Sequence, residues 1–217
     1  AEAKKVGWEA RIDEWTEGKG KSKKTFRNVI CTLKGEGDGF VIVGSHYDTK
    51  TIPGMPNFTG ANDGASSTAL LIHMMPLFKA QGSSLRFVFF DGEECEHQYS
   101  DKDGLHGSRR YASQLVVKQE VGKCRAMILA DLIGDKNLNV AIPTNGDALL
   151  ANRLMEFARR AKVDKYFSLG KTAVLDDHAP FVKLGIPAID IIDFDFGPSN
   201  SYWHTEEDTI DKLSATS

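Results

Sequence analysis

Leu85 to Phe90 is an apolar run (Leu85, Phe87, Val88, Phe89, Phe90) that breaks off into Asp91, Gly92, Glu93 and Glu94. Apolar side chains on both alternating faces predict a strand buried in the middle of a sheet, and the Asp-Gly pair marks where it stops. The ligand crevice of an open α/β sheet lies outside the carboxyl ends of its strands, so two adjacent carboxylates here stand where chemistry is expected. A solvated loop has the same appearance. What separates the two readings is whether other strands end in the same way.

Two of them do. Phe40 to Val43 is a short apolar strand that runs into Gly44, Ser45, His46, Tyr47 and Asp48, and Arg125 to Ala130 is another that ends in Asp131. Around these strands the remaining chain alternates in type. Val6 to Trp15 and Phe26 to Leu33 predict a leading hairpin, joined by a solvated loop that holds Lys19, Lys21, Lys23 and Lys24. Helices are predicted from Gly64 to Ala80, over 105–115 and over Asp147 to Ala161, the last capped by Asp147. Asn139 to Ile142 reads as a short edge-like strand. Asp176, Asp177 and His178 precede a short helix ending near Gly185, and Pro187 introduces a last strand, Ala188 to Ile192. Strands alternating with helices after a hairpin predict a single α/β domain, a three-layer αβα sandwich on a mixed, mainly parallel sheet.

Composition removes several other classes of function. Thirty acidic against 27 basic residues give a net charge of -3, with no basic stripe suited to nucleic acid or a membrane surface. No window approaches the roughly 18 consecutive apolar residues of a membrane span. Three cysteines, Cys31, Cys95 and Cys124, lack the spacing of a zinc ribbon or a disulfide framework. No signal peptide is visible in these residues.

The strand ends therefore offer His46, Asp48, Glu93, Glu94 and Asp131, and Asp63 and His204 join them as candidates. Imidazoles and carboxylates without thiolates form a set suited to zinc. Asp48 lies two residues from His46, on the same face of an extended chain, and can accept the imidazole N–H that a metal leaves free. Asp63 is also placed to cap the helix that follows it, and a carboxylate has oxygens for both roles. His73, mid-helix and without an acidic partner, reads as structural. Adjacent strand residues point to opposite faces, so Glu93 and Glu94 share one site only if the backbone leaves strand geometry, which Gly92 permits. One carboxylate would then bind metal while the other moves protons.

Six segments, Gly44-Ser-His-Tyr-Asp48, Gly60-Ala-Asn-Asp-Gly64, Phe90-Asp-Gly-Glu-Glu94, Asp131-Leu-Ile-Gly134, Asp176-Asp-His-Ala-Pro-Phe181 and Trp203-His-Thr205, resemble in order and spacing the co-catalytic zinc aminopeptidases and their relatives, the glutaminyl cyclases. The resemblance implies that Asp63, Glu94 and His204 hold one zinc, that His46 and Asp131 with Asp63 hold a possible second, and that Glu93 is the general base. Asp176 where aminopeptidases usually have serine, Trp203 before His204, and the insert from Cys95 to Asp103 are similar to the cyclase branch. So are Gly7-Trp8, Ile12-Asp13 and Thr25-Phe26 with Asn28. In cyclases the aspartate at the place of Asp176 shares protons with the positions of Glu93 and Asp131. Two positions depart from that branch: Tyr99 stands where cyclases have a tryptophan, and Asp190 where they have a histidine.

The cyclase resemblance implies conversion of N-terminal glutamine of peptides to pyroglutamate with release of ammonia, with one zinc, since a cluster of Glu93, Asp131 and Asp176 suits a proton shuttle better than a second cation. The alternative is a metallo-aminopeptidase that hydrolyses the first peptide bond. A non-catalytic binding domain on the same scaffold is the third reading. Trp203, Tyr99, Phe194 and Phe196 are the candidate walls of the substrate pocket. Peptide or protein N-termini are the expected partners, and the resemblance implies a secreted or periplasmic setting. It also implies helices before and after these residues, so an apolar sheet face is expected to lie open.

Overall fold

A computed structural model of the chain describes residues 1–100 and 102–217. A short helix, α1 (Glu2–Lys5), leads into the hairpin of β1 (Glu9–Glu17) and β2 (Lys24–Leu33), which turns through a tight helical turn at Gly20–Ser22. Then follow β3 (Phe40–His46), α2 (Ala65–Met74), β4 (Ser84–Phe90), α3 (His106–Val117), β5 (Cys124–Asp131) and β6 (Val140–Ile142). The chain is completed by α4 (Ala148–Arg160), β7 (Phe167–Leu169), α5 (Ala179–Lys183) and β8 (Ala188–Ile192).

Six strands form one sheet in the order β1-β2-β4-β3-β5-β8. The hairpin strands pair antiparallel, as do β2 and β4, while β3 pairs parallel with both β4 and β5, and β5 parallel with β8. The mixed, mainly parallel α/β fold is thus present, with the Leu85-to-Phe90 strand inside the sheet. On one face Tyr111, Ala112 and Leu115 of α3 and Phe181 of α5 pack over Ile42, Phe90, Met127 and Leu129. On the other, Trp8, Leu71 of α2 and Met75 just beyond it cover Phe87, Phe89 and Ala130. Fully burying each such aromatic or aliphatic side chain contributes about 1.5–3 kcal/mol.

Several elements differ from expectation for identifiable reasons. The helix predicted to reach Ala80 stops at Met74 and tightens into a single turn, Met75–Leu77. Pro76 is responsible, since it supplies no N–H to the helix ladder. The edge-like strand β6 pairs with β7 in a separate two-stranded sheet. Asp147 caps α4 as expected, its Oδ1 accepting the Leu150 N–H at 2.7 Å. His73 lies exposed on α2.

An apolar cavity of about 630 Å³ lies beside α2, walled by Val41, Val43, Leu70, Ile128, Ala130 and Ile191. Among the described residues no helix is long and apolar enough to cross a membrane, and all three cysteines are buried and free.

Because β3, β4 and β5 run parallel and in register, His46 stands beside Phe90, and the three carboxyl ends share one rim. That rim is where the polar residues collect.

Candidate metal centre

Five side chains from five separate parts of the chain meet at this rim. His46 is the last residue of β3 and Asp131 the last of β5, Asp63 precedes α2, Glu94 follows β4, and His204 lies in the C-terminal loop. Asp63 sits between the two histidines: its Oδ1 is 3.1 Å from His46 Nε2 and its Oδ2 is 3.1 Å from His204 Nε2. His46 Nε2 also lies 3.1 Å from Asp131 Oδ1, and His204 Nε2 lies 3.0 Å from Glu94 Oε1. The result is two donor sets that share one carboxylate, His46 with Asp63 and Asp131, and Asp63 with Glu94 and His204.

These donors fit zinc. Bonds of about 2.0–2.1 Å to a tetrahedral ion place neighbouring donor atoms about 3.3 Å apart, close to the spacings found. Asp63 Oδ2 is buried without a hydrogen-bond partner although His204 Nε2 is near it, so that approach is too bent for a hydrogen bond and better suited to a common ion. The electrostatics agree. Burial favours a neutral His46, yet the carboxylates of Asp131, Asp48 and Asp63 outweigh it and push its pKa well up. His204 is likewise pushed up to about 9, burial being overcome by Asp63 and Glu94. The carboxylates attract positive charge into both sites, and a metal ion supplies it without the proton.

Glu93 belongs to neither set. Gly92, at φ +70°, turns the chain out of strand geometry so that Glu93 and Glu94 both enter one crevice. Burial and then the charge of Asp176 raise the Glu93 carboxyl well above its usual range. Asp131 is raised by burial against the pull of His46, and Asp176 is raised by burial and by Asp131. Three buried acids thus resist full ionisation together.

A cavity of about 350 Å³ opens over the site, lined by Tyr99, Phe194, Trp203, Asp176 and the segment Thr172–Leu175. Trp203 stacks on His204, with ring centroids 3.9 Å apart, and Phe194 packs on Trp203 at 4.8 Å. Phe196 is not part of this wall. It is fully buried with Leu132 and Ile192 beneath the loop, because its N–H is tied to Asn200 Oδ1 and the chain turns there. Asp190, at the place of the cyclase histidine, is buried behind the site, 3.9 Å from His178 Nδ1.

Two second-tier acids differ from the sequence reading. Asp63 does not cap α2, whose first turn carries no side-chain cap; its two oxygens face the two histidines instead. Asp48 Oδ1 lies 3.6 Å from His46 Nδ1, beyond hydrogen-bond distance. Its carboxylate instead accepts the N–H groups of Glu93 at 3.1 Å and Glu94 at 3.2 Å, fixing the backbone that presents both acids.

Asp208 does the same for the segment that carries Asp63, and nothing in the sequence singles it out from its acidic neighbours Glu206 and Glu207. Fully buried, it accepts the Asn62 N–H at 2.7 Å and the Asp63 N–H at 3.1 Å across 145 or more residues of chain. Lys50, equally unmarked in the sequence, donates to Glu94 Oε2 at 3.1 Å and to the Cys95 carbonyl at 2.8 Å. Replacing Asp208 by Asn sets an NH₂ group against one of the two N–H donors. Asp208→Asn is therefore expected to weaken zinc binding by about 10–100-fold while leaving the fold intact. Competition against a chromogenic chelator reads this directly, and an unchanged affinity would remove Asp208 from the support of the site.

The profile of Peptidase family M28 matches residues 28–217. A glutaminyl-peptide cyclotransferase of Drosophila melanogaster is 27% identical over 215 residues, covering 87% of this chain and 60% of that protein. The chain likewise spans 60% of a glutaminyl-peptide cyclotransferase-like protein of Mus musculus, with 29% identity over 94% of its own length. Among solved structures, a glutaminyl cyclase of an Acidobacteriales bacterium superposes with a TM-score of 0.90 at 40% identity, over 96% of this chain and 74% of that one. A Zn-dependent exopeptidase of Parabacteroides distasonis superposes at 0.81 with 25% identity, over 98% and 80% of the two chains.

Proposed function

The chain belongs to peptidase family M28, and from that membership and the geometry of the rim we propose that it is a zinc-dependent glutaminyl-peptide cyclotransferase. The likeness to the acidobacterial glutaminyl cyclase carries this reading. The buried acid cluster of Glu93, Asp131 and Asp176 supports it as a place to hold and pass a proton.

One zinc on Asp63, Glu94 and His204 is the reading for the resting enzyme. When bound there it supplies Lewis-acid polarisation of the side-chain amide carbonyl of an N-terminal glutamine. The substrate's own α-amine attacks that carbonyl carbon, a C–N bond forms, and the bond to the side-chain nitrogen breaks. Glu93 takes one proton from the amine and delivers it to the departing ammonia, so no proton is gained or lost overall. Asp131 and Asp176 flank this transfer and adjust to the change of charge on Glu93. Trp203 and Phe194 wall the cavity and limit the water that would compete with the amine.

A metallo-aminopeptidase is the second reading. It is favoured by one observation, that the donor set of His46, Asp63 and Asp131 is complete as well. There Glu93 would activate water instead. Peptide or protein N-termini are the substrates in both readings, and a secreted or periplasmic setting goes with either. Mass spectrometry of a glutamine-initiated peptide after incubation tests the proposal. The product is expected to lack one ammonia and keep every residue, whereas a peptide shortened by one residue supports the aminopeptidase.

A further inference from the structure

Tyr99 carries an interaction that a pocket wall does not need. Its hydroxyl donates to both oxygens of Glu93, at 3.0 Å to Oε1 and 3.2 Å to Oε2. Among the described residues no other side chain donates to that carboxylate. We infer that Tyr99 is a positioning residue for Glu93, held over it by the insert that follows β4.

The insert is built as a mount. Within it Glu96, His97, Gln98, Ser100 and Lys102 are exposed, so packing of these side chains does not fix it. Asp103 does so instead, accepting the N–H groups of Glu96 at 2.7 Å, His97 at 2.9 Å and Gln98 at 3.2 Å. The Arg109 guanidinium, from α3, donates to the carbonyls of Ser100 and Gly104 on the far side of the loop. Between these ties the Tyr99 ring lies close against the backbone at Gly104. A Cβ there would come within 2.5 Å of the ring, and Gly104 has φ +78°, so both space and conformation require glycine. Lys50, which holds Glu94 Oε2 and the Cys95 carbonyl, anchors the start of the insert to the metal-binding side of the site.

What this secures is the plane of the Glu93 carboxylate. A hydroxyl shared between the two oxygens stops rotation about the last side-chain bond, so Glu93 meets the nitrogen that gives a proton and the nitrogen that receives it in one orientation. Burial and the charge of Glu93 both keep the phenol in its neutral, donating form. The inference rests on Glu93 as the general base, which holds for cyclase and aminopeptidase alike.

Tyr99→Phe keeps the ring and removes only the hydroxyl. Loss of a hydrogen bond to a charged group predicts a fall in kcat of about tenfold to hundredfold, with KM within about twofold and zinc content unchanged. The double variant Tyr99→Phe with Glu93→Gln is expected to be no slower than Glu93→Gln alone, since Tyr99 acts through Glu93. Losses that multiply in the double variant, or a raised KM with kcat intact, would overturn the inference and make Tyr99 a packing or substrate-binding residue. A wild-type kcat in Tyr99→Phe would overturn it as well. These ratios are read on whichever peptide the wild type turns over. Turnover of a leucine-initiated peptide would therefore defeat the cyclase reading without touching this one.

Discussion

Glu93→Gln is expected to retain its zinc and lose about 10²–10⁴-fold in kcat. The side chain keeps its shape and can still accept the Tyr99 hydroxyl, but an amide cannot take a proton from an amine and return it to ammonia. Zinc is retained because Glu93 contributes to neither donor set, while Glu94, the next residue, does. The backbone that presents Glu94 is held by Asp48 through main-chain N–H groups, which the substitution leaves in place. Removing one of three buried acids also relieves their mutual repulsion, so the variant is expected to melt no lower than the wild type. Steady-state kinetics with metal analysis on the same sample checks both halves. An active variant would take Glu93 out of the proton path, and a metal-free one would make it a ligand.

Removing zinc from the folded protein is expected to lower its melting temperature by about 5–10 °C. Free zinc at 100 times its Kd stabilises the native state by about 2.7 kcal/mol. For a domain of this size each kcal/mol moves the midpoint by about 2–4 °C. The cause is visible at the rim: Asp63, Glu94, Asp131 and Glu93 converge there with only the two histidines and Lys50 close by to offset them among the described residues. Asp63 is held low because the two histidines outweigh its burial. A metal-free chain must place protons on those histidines, and the same carboxylates then make hydrogen bonds of poorer geometry. Calorimetry with and without chelator reads the shift, and zinc added back is expected to restore it. A melt indifferent to chelator would mean that the two donor sets are satisfied by protons alone.

Much of this is legible in the sequence, for a definite reason. Strand ends are marked by an abrupt change from apolar to polar residues, and the rim of a parallel sheet collects such ends in one place. His46, Glu94 and Asp131 follow from that rule, and Gly92 gives away the turn that lets Glu93 share the crevice. What escaped was contact between distant segments. Asp208 has no periodicity or motif to distinguish it from Glu206 and Glu207, yet it is fully buried and holds the loop that carries Asp63. Lys50 looks like a loop lysine until its reach to Glu94 is seen. Asp63 failed as a cap because local preference lost to two histidines, one brought in by β3 and the other by the C-terminal loop. Phe194 and Phe196, two residues apart, read as one wall in the sequence, and the turn at Asn200 sends Phe196 into the core instead.

In the proposed reaction Glu93 serves an amine rather than a water. One zinc-loaded sample assayed in parallel on a glutamine-initiated and a leucine-initiated peptide tests it most directly. Ammonia released from the first, with no free amino acid from either, is the expected result; free leucine released from the second, without ammonia from the first, would contradict it.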